Sequence, residues 1–215
     1  MMRNTAQFPV IANLDALSIS NKVLLQQNIV VHHSATPVGS ARSFHDYHVN
    51  NNGWRALGYH FVINNGKRLG DLFDGMIQCN LARDWDKDFD FLEEQGAHAK
   101  GLNNCPGICV VGDFTDSFPT PNQILAVTAL VTHLNYKREQ FGHYPYQIIG
   151  HREAGGYGGA LVSKSCPGEN INCNFMRQYF ASQQQHYLTN MLAYKDLALY
   201  NGNPYEDVIY YDTMV

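Results

Sequence analysis

The side chains best suited to chemistry in this sequence are histidines and cysteines, ten of one and five of the other among 215 residues. Neutral imidazole and thiolate are the donors that hold zinc, and a catalytic zinc site takes three protein ligands and keeps a fourth position for water. Ligands on strand ends and short, stiff loops hold that geometry best. Three residues fit this description: His32 ends a β-branched run, His151 directly follows another, and Cys166 sits in an irregular loop stiffened by Pro167. Spacing alone does not single out this trio, since histidines and cysteines at such intervals are common. His45 and His48 lie three apart on a helical pattern, so a second metal pair and a surface or half-buried role are both readings, the latter preferred. Cys105 and Cys109 form a C-x3-C pair that, with Cys79 or Cys173, reads as a second zinc site, a disulfide or free thiols. The odd cysteine count excludes a complete internal disulfide framework, and free thiols are the favoured reading, as buried cysteine is common in cores.

The elements that must carry these residues follow from periodicity and turn chemistry. Residues 27–33 and 59–64 read as strands, and Asn65-Gly66 as a tight hairpin turn returning through residues 67–73. Residues 107–114 form a near-continuous apolar run, the pattern of a strand covered on both faces. A helix over residues 39–51 starts at Ser40, with Phe44, Tyr47 and His48 on one face, and Gly53 ends it. A second helix starts at Thr120-Pro121, with Gln123 as capping-box partner, and runs to about residue 141. Another strand covers 146–150, residues 154–170 are irregular and Gly-rich, and helical patterning resumes near residue 174. Alternating strands and helices predict an α/β domain with a mixed central β-sheet flanked by helices. Side chains alternate along a strand, so His32 and His33 face opposite ways, as do Tyr59 and His60. Trp54 and Tyr47 read as core residues in preference to sugar-stacking platforms.

Composition narrows the function. Hydrophobic residues make up 45% and charged residues 16%, which excludes a disordered acidic tail or a coiled coil. A net charge of −4 excludes a general nucleic-acid binder. No apolar run reaches the roughly 18 residues of a spanning helix, so stable membrane insertion is not expected. Residues 71–94 carry eight acidic against two basic side chains, a local balance of −6. They read as a solvated surface insertion with one short helix, a lid being the second reading. The opening residues lack a basic flank before a long apolar block, so synthesis in the cytoplasm without a signal peptide is expected.

Seven short motifs then occur in order: VHHSAT at 31–36, GYHFVI at 58–63, GAHAKG at 96–101, ICVVGDF at 108–114, PTPNQ at 119–123, GHRE at 150–153 and KSCPG at 164–168. Together they resemble the zinc-dependent N-acetylmuramoyl-L-alanine amidase family of the phage T7 lysozyme and peptidoglycan recognition protein type, over roughly residues 28–180. The resemblance implies a single amidase-type domain at 28–180, preceded by a lead-in at 1–27, interrupted by the acidic insertion at 71–94 and followed by a helical extension and tail at 181–215. It implies one zinc ion held by His32, His151 and Cys166, with Tyr59 and Lys164 catalytic. It also implies metal-assisted hydrolysis of the amide joining N-acetylmuramic acid to L-alanine in peptidoglycan. Non-catalytic relatives typically lack the cysteine ligand, which is present here. His98 and Thr36 are read as substrate-binding residues, although a strand-end hydrogen bond is an equal reading for Thr36. The expected protein is a monomeric phage or prophage endolysin reaching the wall after release by a separate factor. A wall-recycling or toxin amidase and a binding module without turnover are the alternatives.

Overall fold

Strand parity determines which side chains can reach the site. Every residue of Asn28–His33 (β1) is buried, so both faces of this strand are covered. Ile29 and Val31 join one hydrophobic cluster, and Val30 joins another on the opposite face. The structure, a computed structural model, describes Leu14 and residues 25–68, 73–80 and 95–189, with side chains as far as residue 182. After β1 come α1 (Ala41–Asn50), β2 (Phe61–Asn65), β3 (Asp74–Cys79), β4 (Gly107–Val110), α2 (Pro121–Gln140), β5 (Gln147–Gly150), a 3-10 helix (His151–Tyr157) and α3 (Cys173–Thr189). The five strands form one sheet in the order β3-β2-β4-β1-β5. β1 is parallel to β4 and β5, β2 is parallel to β4, and β3 is antiparallel to β2. The mixed α/β architecture expected from the sequence is present. Among the described residues, no helix is long and apolar enough to cross a membrane.

Helices α2 and α3 pack on one face, over Ile29, Val31, Phe61, Ile63, Ile77, Ile108 and Val110. The other face carries Leu57, Val62, Cys109 and Val111 beneath Ala41 and Phe44 of α1, and Val30 and Ile149 beneath Ala99, Leu102 and Ala154. His33 points to the α2 and α3 side, where its Nδ1 accepts the Phe114 backbone N–H at 3.1 Å. His32, one residue earlier, faces the other layer, as alternation requires. Both long helices start where cap chemistry places them. Ser40 and Ser43 exchange capping bonds ahead of α1, and Thr120 and Gln123 do so ahead of α2. The Thr120 hydroxyl also donates to Asp74 Oδ1 at 2.7 Å, tying α2 to the edge strand.

The hairpin differs from the sequence reading. The strand returning beside β2 is Asp74–Cys79, with Asn65 opposite Asp74 after a register shift; Lys67 and Arg68 of the expected partner strand lie in a turn, and residues 69–72 lie outside the described residues. Asn65 remains in the strand because its side chain is engaged elsewhere: Nδ2 donates to the Pro37 carbonyl at 2.9 Å, and Oδ1 accepts the Lys67 N–H at 3.2 Å. Gly66 takes a positive φ of 72°. Part of the segment read as a solvated acidic loop is therefore sheet, with Ile77 and Cys79 buried in the core. Residues 81–94 of that segment, most of the lead-in and residues 190–215 lie outside the described residues.

One ion pair fastens the end of β5. Glu153 accepts the Gly150 N–H at 2.9 Å and both Arg177 terminal nitrogens, at 2.7 and 3.0 Å. Burial pushes the Glu153 carboxyl up, but hydrogen bonds from Arg177 and Gly150 and the Arg177 charge outweigh it and hold the group below its ordinary value. A depressed carboxylate stabilises the fold above its unfolded pKa, and the contribution is lost as pH falls through the folded one. Glu153→Gln is expected to lower stability near pH 7 by about 2 kcal/mol, a Tm loss on the order of 4–8 °C. Thermal melts of both proteins should converge only as pH falls past the ordinary glutamate value and through the lower folded one.

Candidate metal centre

Adjacent parallel strands bring the first two candidate ligands together. β5 lies beside β1. His151 is the first residue beyond β5, and His32 is near the end of β1, so their rings stand 4.5 Å apart between centroids. Cys166 arrives from the loop after the 3-10 helix and places Sγ 3.7 Å from His32 Nδ1. One donor atom from each of His32, His151 and Cys166 lies within 4.8 Å of the others. Tetrahedral zinc with Zn–N about 2.0 Å and Zn–S about 2.3 Å sets its donors roughly 3.3–3.7 Å apart. The donor chemistry and spacing therefore fit a zinc ion after a small closure of the group. Among the described residues this is the one such cluster of histidine, cysteine or carboxylate groups. All five cysteines are buried free thiols, which matches the favoured reading for Cys79, Cys105, Cys109 and Cys173.

The electrostatics suit ligation. Burial holds His32 well below the ordinary imidazole value, and the neighbouring His98, His151, His33 and His60 add to the shift. Burial also lowers His151, helped by the charge of Lys164. Both rings are thus neutral near pH 7, the form that offers a lone pair to a metal. Burial pushes the Cys166 thiol up to about 11, against a hydrogen bond from the His33 backbone and the charges of Arg152 and Lys164. A divalent cation reverses that preference, because a coordinating thiol is deprotonated outright.

Arg152, which the sequence reading passed over, fastens the loop that carries the thiol. Its backbone N–H donates to the Cys166 carbonyl at 2.8 Å. Its guanidinium donates to the carbonyls of Ser165 at 2.8 Å and Gly168 at 2.7 Å, and also to that of Ile171. Gly150 lets this loop pack close, since a Cβ there would fall 2.5 Å from Cys173 Sγ and 2.7 Å from Pro167 Cδ. Removing groups that orient metal ligands typically costs 10–100-fold in affinity. Arg152→Ala is expected to weaken zinc binding by about that factor, read by competition with a chromophoric chelator.

The Tyr59 ring is half-buried and stands 5.1 Å from His32. The ring packs against the cluster that contains Cys109. Burial raises the phenol well above its ordinary value, and the Cys109 and Cys166 thiols raise it further. Tyr59 and His60 were expected on opposite faces. Both lie toward the site, with His60 5.4 Å from His98, because regular strand begins only at Phe61 and alternation does not govern the residues before it. His45 and His48 act as fasteners of that approach, each Nδ1 accepting one backbone N–H, from Leu57 and Gly58 respectively, at 3.1 Å. Lys164 is exposed, and its charge is felt at both His151 and Cys166.

Thr36 lies on an exposed turn, where its hydroxyl donates to the Val38 carbonyl at 3.0 Å. His98 is buried, with one ring nitrogen 3.0 Å from His32 Nε2 and the other 3.0 Å from the Cys105 carbonyl. Trp54 and Tyr47, read as core, are surface residues, 37% and 57% exposed. Helix α1 is too short to bury a wide face: Ala41 and His48 are its buried residues, and Trp54 covers His48 from outside at 4.5 Å.

Comparison with known proteins agrees with this geometry. The family described as N-acetylmuramoyl-L-alanine amidase matches residues 22–169, a span containing His32, Tyr59, His151, Lys164 and Cys166. The human N-acetylmuramoyl-L-alanine amidase is 26% identical over 154 residues, covering 66% of this chain; the chain spans only 22% of that relative's length. The Drosophila melanogaster peptidoglycan-recognition protein SC2 is 27% identical over 151 residues, covering 66% of this chain and 68% of its own. Among solved structures, the amidase LysC from Clostridium intestinale URNW superposes with a TM-score of 0.55 at 22% identity, over 80% of this chain and 92% of that one. That likeness concerns the fold. Taken with the matched span and the clustered donor atoms, it makes the chain a member of the N-acetylmuramoyl-L-alanine amidase family.

Proposed function

We propose that the protein is a zinc-dependent amidase that hydrolyses the bond between the lactyl carbonyl of N-acetylmuramic acid and L-alanine in peptidoglycan. The observation that carries this reading is the convergence of His32, His151 and Cys166 donor atoms within 4.8 Å. Bound by these three residues, zinc would supply an activated water and a Lewis acid for the scissile carbonyl. The chain's own groups do the rest. Arg152 holds the Cys166 loop against the end of β5, so the thiol keeps its position relative to His151. Lys164, whose charge reaches both His151 and Cys166, stabilises the oxyanion that develops on the attacked carbonyl. Tyr59, kept protonated by burial, donates a hydrogen bond and orients the reacting groups. We assign the protein to the endolysins of phage or prophage, reaching the wall through a separate export or lysis factor.

Mass spectrometry of digested sacculi tests the reaction. New L-alanine amino termini on released peptides, with glycan strands intact, are expected. New reducing sugar ends, or unaltered sacculi that still bind the protein tightly, would overturn the proposal. The second outcome would mark a recognition module without turnover.

A further inference from the structure

We infer that His98 is a positioning residue for the metal centre, fixing which nitrogen of His32 offers its lone pair through a hydrogen-bonded chain from the Cys105 carbonyl to His98 to His32. The inference rests on the zinc reading above and assigns a role within it. A carbonyl oxygen only accepts, so the 3.0 Å contact between Cys105 O and His98 Nε2 places the hydrogen on His98 Nε2. A neutral His98 then has its lone pair on Nδ1, which lies 3.0 Å from His32 Nε2. His32 Nε2 must therefore carry the hydrogen in that contact. This leaves the His32 lone pair on Nδ1, the nitrogen 3.7 Å from Cys166 Sγ. Metal-bound imidazoles generally donate their other ring N–H to a fixed acceptor, which sets both tautomer and ring orientation. Here the fixed acceptor is another imidazole, itself anchored to the backbone.

The surroundings of His98 are built to hold that ring. A Cβ at Gly96 would fall 2.7 Å from His98 Cδ2, and one at Gly107 would fall 2.6 Å from the same atom, so two glycines make room for it. The Asn103 side-chain oxygen accepts the backbone N–H groups of His98 and Ala99, each at 2.9 Å. His60 packs edge-on against His98, and its own Nδ1 accepts the Gly107 N–H at 3.0 Å. With both ring nitrogens committed to His32 and Cys105, His98 acts on the reaction through His32 and not by touching substrate.

Three variants and one spectrum test this. His98→Phe keeps a ring and removes the acceptor. His98→Asn keeps an acceptor oxygen near the place of Nδ1. Gly107→Ala crowds the ring from behind without altering any hydrogen-bonding side chain. Zinc affinity, measured by chelator competition on folded protein, should fall 10–100-fold in His98→Phe and Gly107→Ala and recover to within about threefold in His98→Asn. Wild-type affinity in His98→Phe, or an equal loss in His98→Asn at unchanged Tm, would overturn the role. The relay also has a readout that needs no metal. Long-range proton–nitrogen spectra of the metal-free protein should show both His32 and His98 as Nε2–H tautomers, with a slowly exchanging His32 ring proton lost in His98→Phe. An Nδ1–H tautomer at His32 would refute the relay whether or not the protein hydrolyses peptidoglycan. Failure of the wild-type protein to bind zinc, with that spectrum as expected, would instead count against the zinc reading.

Discussion

Replacing Cys166 with serine is expected to remove zinc binding and amide hydrolysis together while leaving the fold intact. The thiol supplies the one anionic ligand of the trio, and it sits 3.7 Å from His32 Nδ1. Serine has nearly the same shape, so the Arg152 clamp on the loop carbonyls should survive. Its hydroxyl, however, is far harder to ionise than a thiol and a much poorer ligand for zinc. Two neutral imidazoles remain, and zinc affinity should fall by a factor on the order of a thousand or more, with turnover at background. This follows from the coupling of metal affinity to ligand ionisation. Metal content by plasma mass spectrometry and release of alanine-terminated peptides are the two readouts. The Tm of the metal-free variant should stay within a few degrees of the metal-free parent. Stoichiometric zinc and undiminished hydrolysis in Cys166→Ser would remove the thiol from the site.

Lys164→Ala is expected to lower turnover while zinc stays bound. Lys164 is exposed and none of its atoms belongs to the donor cluster, but its charge lowers both His151 and Cys166. A cation in that position acts chiefly on charge that develops during the reaction. Loss of one such stabilising group typically costs about 100–1,000-fold in kcat. Because the contact forms mainly in the transition state, kcat and kcat/KM should fall in parallel with little change in KM. Lys164→Arg should recover part of the rate by keeping the charge. An unchanged kcat in Lys164→Ala, or loss of the metal, would take the oxyanion role from this residue.

Parts of this site were legible in the sequence, and the division has physical causes. β1 and β5 read clearly because each is a short apolar run, one ending at a histidine and the other followed directly by one, and α2 because Thr120, Pro121 and Gln123 carry a complete helix start. The three donor positions were legible as strand-end and loop residues, and the ordered motifs singled them out. The β3 register was not, because the Asn65-Gly66 turn signal needs positive φ at both residues, and here Gly66 takes it while Asn65 stays in β2 with its side chain bonded to Pro37 and Lys67. Tyr47 and Trp54 were misjudged because aromatic residues in a short helix and its following loop carry no sign of which face is covered. Arg152 was invisible for another reason. Its partners are backbone carbonyls thirteen to nineteen residues away, and carbonyls leave no trace in residue type. The His98 contacts share that difficulty, since they join residues 66 positions apart to a main-chain oxygen.

The most direct test of the central claim is zinc K-edge X-ray absorption on protein loaded with one equivalent of the metal. Three protein ligands of the kinds assembled here should give two nitrogen scatterers at about 2.0–2.1 Å and one sulfur at about 2.3 Å, with one further light atom in the remaining position. A shell containing two or more sulfurs, or none, would contradict the assignment of His32, His151 and Cys166 as the ligand set.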